Sequence, residues 1–131
     1  MSKVALAKEH GAHAPLEERV AAIEAVARSG RAWLAARVSE AQLVADIAAG
    51  YDVCVMGADK WHQLFDLSFY GGSVAARDAA LARLPLLAVA PRAGAPLPAG
   101  VVVLNVGSDH EEVSSTAVRD GRVDWRATGG P

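Results

Sequence analysis

The stretch from Tyr51 to Trp61, YDVCVMGADKW, constrains the fold of this chain more than any other. Its first six residues are mostly apolar and show little alternation, with only Asp52 clearly polar. That pattern predicts a strand covered on both faces, as in a parallel sheet. Gly57 allows a sharp exit at the strand's carboxyl end, where open α/β sheets place their ligands. Asp59 and Lys60 would add a carboxylate and an ammonium there, but on this stretch alone a helix cap and a solvated surface charge are the favoured explanation.

Composition sets the class of protein. A chain of 131 residues suits one domain, 1–131, and 52% hydrophobic residues exclude a disordered chain. The formal net charge of -2 gives no support for binding nucleic acid or an anionic membrane. Cys54 is the single cysteine, so an internal disulfide is excluded. No apolar run is long enough to span a membrane and no signal peptide is recognised, so the expected compartment is the cytoplasm.

Strand patterns alternate with helix patterns along the chain. Strands are predicted at 2–7, 32–38, 51–56, 86–90 and 101–106. Helices are predicted from Pro15 until Gly30, over 40–49 behind a Ser39–Gln42 capping box, over 62–65, from a Ser73 cap to about residue 84, and over 114–119. The tail 122–131 is expected to fray. The alternation indicates a three-layer α/β sandwich with a parallel sheet of about five strands.

Polar clusters follow three of the predicted strands, at 8–13, 57–60 and 114–119. Because the carboxyl ends of parallel strands share one edge of a sheet, these clusters can converge. The cluster Ser114-Ser115-Thr116 opens a helix, and with Arg119 it would suit a phosphate. The alternative is a well-capped surface helix whose arginine pairs with a nearby carboxylate.

Other polar residues favour structural explanations. His10 and His13 have a spacing that metal ligands use, but no third and fourth ligand is evident, so no metal site is predicted. His62 and His110 are expected at the surface. The remaining polar residues of the central region either line a pocket or form surface ion pairs, and the ion pairs are favoured: Asp66, Tyr70, Arg77 and Asp78.

Three segments together resemble the nucleotidyltransferase superfamily of nicotinate-nucleotide and pantetheine-phosphate adenylyltransferases. KEHGAHAPLEERVAAI is similar to the stretch in which a lysine precedes a PLEER-like helix start, and VMGADKWHQLFD to the strand that ends in Gly-x-Asp. VSSTAVRDG is similar to the closing Ser-Ser-Thr-x-x-Arg motif. The order and spacing also fit, and the resemblance covers most of residues 3–125.

The resemblance implies a Rossmann-like fold and an enzyme that transfers a nucleoside monophosphate from ATP or CTP to a small phosphate-bearing acceptor. Pyrophosphate is released, usually with Mg²⁺. By resemblance, Lys8 would contact phosphate at the reacting centre, Arg19 would support that loop or its phosphates, and Asp59 would face the ribose or base. Gly57 would let the nucleotide approach the backbone. The expected nucleotide- and phosphate-binding set is Arg19, Gly57, Asp59, Lys60, Ser114, Ser115, Thr116 and Arg119.

The chain departs from this family at its start. The Gly-rich first strand, which is the central one, and the His-x-Gly-His motif have no counterpart, and HGAH follows a different strand. A late start, a degenerate binding protein, or a strand supplied by a partner chain would each explain the gap. Unpaired strand edges are costly, which favours the first explanation and predicts impaired transfer by these 131 residues. In-frame translation upstream of Met1 should then reveal the missing segment. A non-catalytic nucleotide-binding or interaction module is the alternative function, and homo-oligomerisation stays open.

Overall fold

The computed structural model describes residues 15–110 together with Val113 and Gly121. The chain divides into two compact units, Met1–Glu40 with Ser114–Pro131, and Ala41–Val113. The described residues have an α/β fold with a small, open, parallel sheet, as the alternating pattern predicted. A single domain over 1–131 stays a prediction.

The first unit contains one helix, α1 (Leu16–Arg28), among its described residues. Pro15 occupies the cap position, one residue before the first helical turn. Glutamates in the first turn and Arg28 in the last turn both complement the helix dipole. The Ser29 hydroxyl donates to the Val26 carbonyl at 2.8 Å, and Gly30 then turns the chain with φ 113°.

The second unit contains the sheet. Its elements in chain order are α2 (Val44–Ile47), β1 (Val53–Gly57), α3 (Ala58–Gln63), a 3-10 helix (Leu67–Tyr70), α4 (Val74–Ala82), β2 (Leu86–Ala90), β3 (Val102–Val103) and a second 3-10 helix (Ser108–His110). The strands lie in the order β1-β2-β3, and both pairings are parallel. The register pairs Val53 with Leu86 and Gly57 with Ala90, so β1 and β2 end together at one edge.

The core of this unit lies on one side of the sheet. Met56 and Val89 are register partners, and both are buried against Ala58 and Leu64 of the segment that follows β1. Cys54, Leu87, Trp61, Leu81 and Leu84 pack around them and are only partly buried. Burial raises the pKa of the Cys54 thiol, so Cys54 packs here as a small hydrophobic residue.

The described residues form three strands, and not the five predicted. The predicted strand 2–7 lies outside the described residues. The prediction of a strand over 32–38 is wrong, because that segment is turn and irregular chain. Trp33 is 80% exposed and Val38 47% exposed, so its apolar side chains lack the buried face that holds a strand in a sheet.

The second predicted helix is shorter than its pattern suggested. It spans Val44–Ile47 instead of 40–49, and Leu43 caps it without a side-chain hydrogen bond. Ser39 is therefore not the cap residue of this helix, and it lies in a β-bridge four residues before Leu43. The Ser73 cap is confirmed, since its hydroxyl accepts from the Ala76 N–H at 3.1 Å at the start of α4.

The four polar residues of the central region have structural roles. Asp66 accepts from the Ser68 N–H at 2.9 Å and caps the 3-10 helix, and these hydrogen bonds hold the pKa of its carboxyl below the usual range. Arg77 and Asp78 form an ion pair at 2.8 Å. The Tyr70 hydroxyl donates to the Leu64 carbonyl at 2.8 Å, which ties the 3-10 helix to the end of α3.

Substitution of Tyr70 by phenylalanine should lower the free energy of unfolding by about 1 kcal/mol at neutral pH, the usual net value of one hydrogen bond. Partial burial raises the pKa of the Tyr70 phenol above 10.0, although the Arg77 charge opposes the shift. The folded state therefore holds this proton more tightly than the unfolded state. The stability that results is present below pH 10 and is lost as pH rises through the folded pKa. Urea unfolding between pH 8 and 11 should show a decline in the wild type that is smaller in Tyr70→Phe; equal declines would contradict this assignment.

Candidate functional site

The carboxyl end of β1 holds the candidate site. Gly57 is both the last residue of β1 and the cap residue of α3, with φ -77° and ψ 155°, a conformation open to any residue. Glycine is needed here for space. A Cβ at this position would lie 2.5 Å from Oδ1 of Asp59 and 3.3 Å from Nε of Arg92. The bare backbone therefore lets a carboxylate and a guanidinium approach the strand end together.

Arg92 comes from the neighbouring strand. It follows the end of β2 by two residues, and its Nε lies 3.5 Å from Oδ1 of Asp59. Its Nη1 donates to the Val113 carbonyl, and its own carbonyl accepts from the Ala95 N–H at 3.1 Å. Asp59 and the Val113 carbonyl thus hold the guanidinium, and the Arg92 side chain is 30% exposed.

The sequence pattern did not single out Arg92, which follows the predicted strand 86–90. One signal was present, because the residue comes directly after Pro91, which ends an apolar strand parallel to β1. In a parallel sheet, an arginine just after one strand lies at the same edge as the residues that follow the adjacent strands. The pairing with Asp59 itself needed the register between the two strands, which the sequence does not display.

The electrostatics of this pair suit an anionic ligand. Asp59 is 59% exposed, and a separation of 3.5 Å in a solvated setting makes a weak ion pair. A guanidinium has five N–H donors, more than its contacts with Asp59 and Val113 use. Arg92 can therefore bind a phosphate while Asp59 accepts hydrogen bonds from hydroxyl groups.

Lys60 lies on α3 next to Asp59. Its ammonium donates to Oε1 of Gln63 at 3.2 Å and lies 5.9 Å from the centre of the Phe69 ring. The structure thus places it along the helix, where the surface-charge explanation expected it. A contact between Lys60 and a nucleotide stays a prediction.

The other predicted site residues are not brought to this edge by anything the structure describes. Arg19 lies in α1 of the first unit, where its backbone N–H donates to the Pro15 carbonyl at 3.1 Å. The remaining members lie outside the described residues: Lys8, Ser114, Ser115, Thr116 and Arg119. The convergence of the three polar clusters therefore stays a prediction. Of the three clusters, the structure describes only the one that contains Gly57 and Asp59.

An apolar cavity lies at the opposite end of the strands. It has a volume of about 270 Å³, and the described residues that line it are Trp61, Leu64, Phe65, Leu81, Leu84, Pro85, Leu86, Leu87, Gly100 and Val101. The rings of Trp61 and Phe65 pack with their centres 4.8 Å apart. Nearby, Nε2 of the exposed His62 lies within hydrogen-bond distance of the Pro96 carbonyl oxygen, at 3.1 Å. This contact links the β2–β3 connection to α3. Because this lining carries no charged side chain, the cavity does not suit a phosphate.

The described residues contain no group of three or more His, Cys, Asp or Glu side chains that could hold a metal ion. His10 and His13 lie outside the described residues. Asp59 faces Arg92, so it is poorly placed as an ion's sole carboxylate. Over the same part of the chain, no helix is long and apolar enough to cross a membrane.

Comparisons with the models of known protein families, with curated proteins and with solved structures gave no match for this chain. The residues of the chain itself define an α/β protein with a parallel sheet and a carboxylate–guanidinium pair where two of its strands end.

Proposed function

We propose that this chain is a nucleotidyltransferase-like protein that binds a nucleoside triphosphate at the carboxyl edge of its sheet. The observation that carries the proposal is the Asp59–Arg92 pair, which meets over Gly57 where β1 and β2 end. Nucleotides bind open parallel sheets at this edge. The fuller architecture belongs to the same proposal: a Rossmann-like three-layer sandwich of about five strands that lacks the family's central first strand.

The proposed reaction transfers a nucleoside monophosphate from ATP or CTP to a phosphate-bearing small molecule. An acceptor phosphate oxygen attacks the α-phosphorus, the bond from that phosphorus to the bridging oxygen breaks, and pyrophosphate leaves with the bond electrons. Such transfers need in-line positioning and neutralisation of charge more than covalent chemistry. Impaired turnover is expected for these 131 residues, because the family's histidine motif has no counterpart.

Each site residue has a task in this proposal. Arg92 binds a phosphate through its guanidinium, and Asp59 accepts from a ribose hydroxyl or the base. Lys8, on the resemblance, contacts phosphate at the reacting centre, and Mg²⁺ arrives bound to the triphosphate, as it commonly does in such sites. Further phosphate contacts are proposed for Arg19, Lys60, Ser114, Ser115, Thr116 and Arg119.

Calorimetric titration with ATP and with CTP tests the binding step directly. We expect saturable binding of one of them in the presence of Mg²⁺, and no saturable binding of either would contradict the proposal. Turnover is tested by pyrophosphate release with nicotinate mononucleotide and with phosphopantetheine as acceptors. Binding without release from either acceptor would instead support the non-catalytic nucleotide-binding module.

Arg119 offers a second test of the binding site. If the closing motif binds triphosphate, Arg119→Ala should weaken ATP or CTP binding while the far-ultraviolet circular dichroism spectrum stays that of the wild type. Unchanged affinity would remove Arg119 from the proposed site.

A further inference from the structure

The guanidinium of Arg92 contacts the chain beyond the ends of both neighbouring strands. Arg92 follows β2, the middle strand of the order β1-β2-β3. Its Nε lies 3.5 Å from Oδ1 of Asp59, which follows β1. Its Nη1 donates to the carbonyl of Val113, which follows β3. One side chain therefore joins segments that lie beyond all three strands of the sheet.

The chain after β3 turns back on itself through local hydrogen bonds. The His110 N–H donates to the Gly107 carbonyl at 2.8 Å, and the Val113 N–H donates to the His110 carbonyl at 3.1 Å. We name residues 107–110 together with Val113 the exit segment. The bond from Arg92 spans 21 positions of sequence, so it ties this local turn to the middle strand.

We propose that Arg92 couples nucleotide binding at the carboxyl edge to the position of the exit segment. The inference rests on the proposed function, because the ligand is the phosphate of that nucleotide. The Val113 carbonyl holds one end of the guanidinium, and the N–H groups that its contacts with Asp59 and Val113 do not use can bind phosphate oxygens.

The coupling follows from the partial exposure of the Arg92 side chain. When the exit segment moves away, this 30% exposed side chain loses the Val113 acceptor and gains rotamer freedom. A phosphate then binds less well, because the guanidinium must be ordered again at a cost in entropy. The nucleotide therefore prefers the arrangement in which the exit segment is held, and it stabilises that arrangement in return.

The size of the coupling follows from thermodynamic linkage. A ligand that binds only the held arrangement lowers the population of the opened one by a factor of 1 + [L]/Kd, which is about tenfold at ten times the Kd. Amide hydrogen exchange in the exit segment measures that population, because an N–H group exchanges when its hydrogen bond opens.

Hydrogen exchange of single amides, followed by nuclear magnetic resonance on the full chain, tests the contact without ligand. Arg92→Ala should speed exchange at His110 and Val113 about fivefold, the usual net effect of one lost hydrogen bond. The Leu104 amide is the internal control, since it donates to the Val89 carbonyl at 2.9 Å and should keep its wild-type rate.

Arg83→Ala is the matched control for a lost arginine, and it should exchange as the wild type does at His110 and Val113. Equal exchange rates in the wild type and Arg92→Ala would overturn the inference. Acceleration of the Leu104 amide to the same degree would also overturn it, because the substitution would then loosen the sheet instead of releasing the exit segment.

The coupling itself is tested with ATP or CTP, whichever binds in the calorimetric titration, at ten times its Kd. Exchange at His110 and Val113 should slow about tenfold in the wild type and should not slow in Arg92→Ala at ten times its own Kd. Nucleotide binding that leaves these amides unchanged, or that slows them equally in the variant, overturns this inference and leaves the proposed function standing. If neither nucleotide binds, the proposed function fails and the coupling fails with it.

Discussion

Replacement of Arg92 by alanine should lower the affinity for ATP or CTP by at least about tenfold. The expected loss follows from removing a charge-assisted hydrogen bond to phosphate, worth about 1.5–3 kcal/mol. Arg92 is suited to this role because Asp59 and the Val113 carbonyl hold its guanidinium before a ligand arrives. Calorimetric titration of the wild type and the variant measures the change.

Arg83→Ala is the control for the loss of a positive charge. Arg83 forms an ion pair with Asp46 at 2.7 Å, and it follows α4 instead of the end of a strand. Its replacement should leave nucleotide affinity within about twofold of the wild type, since distant exposed charges are screened by salt. Equal losses in the two variants would show that net charge, and not the carboxyl edge, governs binding.

Arg92→Lys separates position from charge. Lysine keeps the charge but lacks the planar fork that binds phosphate through two parallel hydrogen bonds. We expect an affinity between those of the wild type and Arg92→Ala. If Arg92→Ala binds nucleotide as the wild type does, the Asp59–Arg92 pair loses its proposed function, whatever its effect on stability.

Substitution of Val89 by alanine should lower the free energy of unfolding by about 2–3 kcal/mol. Val89 is fully buried in the middle strand, where it packs against Met56, Ala58 and Leu64. The substitution deletes two methyl groups and leaves a cavity that the surrounding strands cannot easily close. A thermal melt should show a decrease on the order of 10 °C for a chain of this size.

Val55→Ala provides the comparison within the same sheet. Val55 is 64% exposed on the face opposite Met56, so its truncation should change the free energy of unfolding by less than about 0.5 kcal/mol. A cost at Val55 equal to that at Val89 would contradict the difference in burial between these two residues.

The sequence predicted the elements whose signals are local. Leu86–Ala90 is the strand its apolar run indicated, and β1 lies within two residues of its predicted bounds. The Ser73 cap works because a hydroxyl and the N–H three residues later lie within one turn. These features depend on neighbours along the chain, which a sequence displays directly.

Local patterns failed where a segment needed distant partners. The apolar residues of 32–38 match a strand, but Trp33 and Val38 are exposed there and no strand forms in that segment. Ser39 matches a helix cap, but the helix begins at Val44 and Ser39 lies in a β-bridge before it. A strand or cap gains its free energy from the surface it meets, so its pattern is a necessary condition only.

For the candidate site, the sequence by itself determined Gly57 and Asp59, because both follow directly from a strand that ends in a tight turn into a helix. Only the tertiary structure decided that Arg92 meets Asp59 over the missing side chain of Gly57. It also decided that Met56 is buried while Val55, its neighbour in the same apolar run, is exposed. Both outcomes have the same physical reason. The pairing of β1 with β2 and the packing of α3 determine which residues far apart in sequence come into contact, and the apolar pattern of one segment does not specify either.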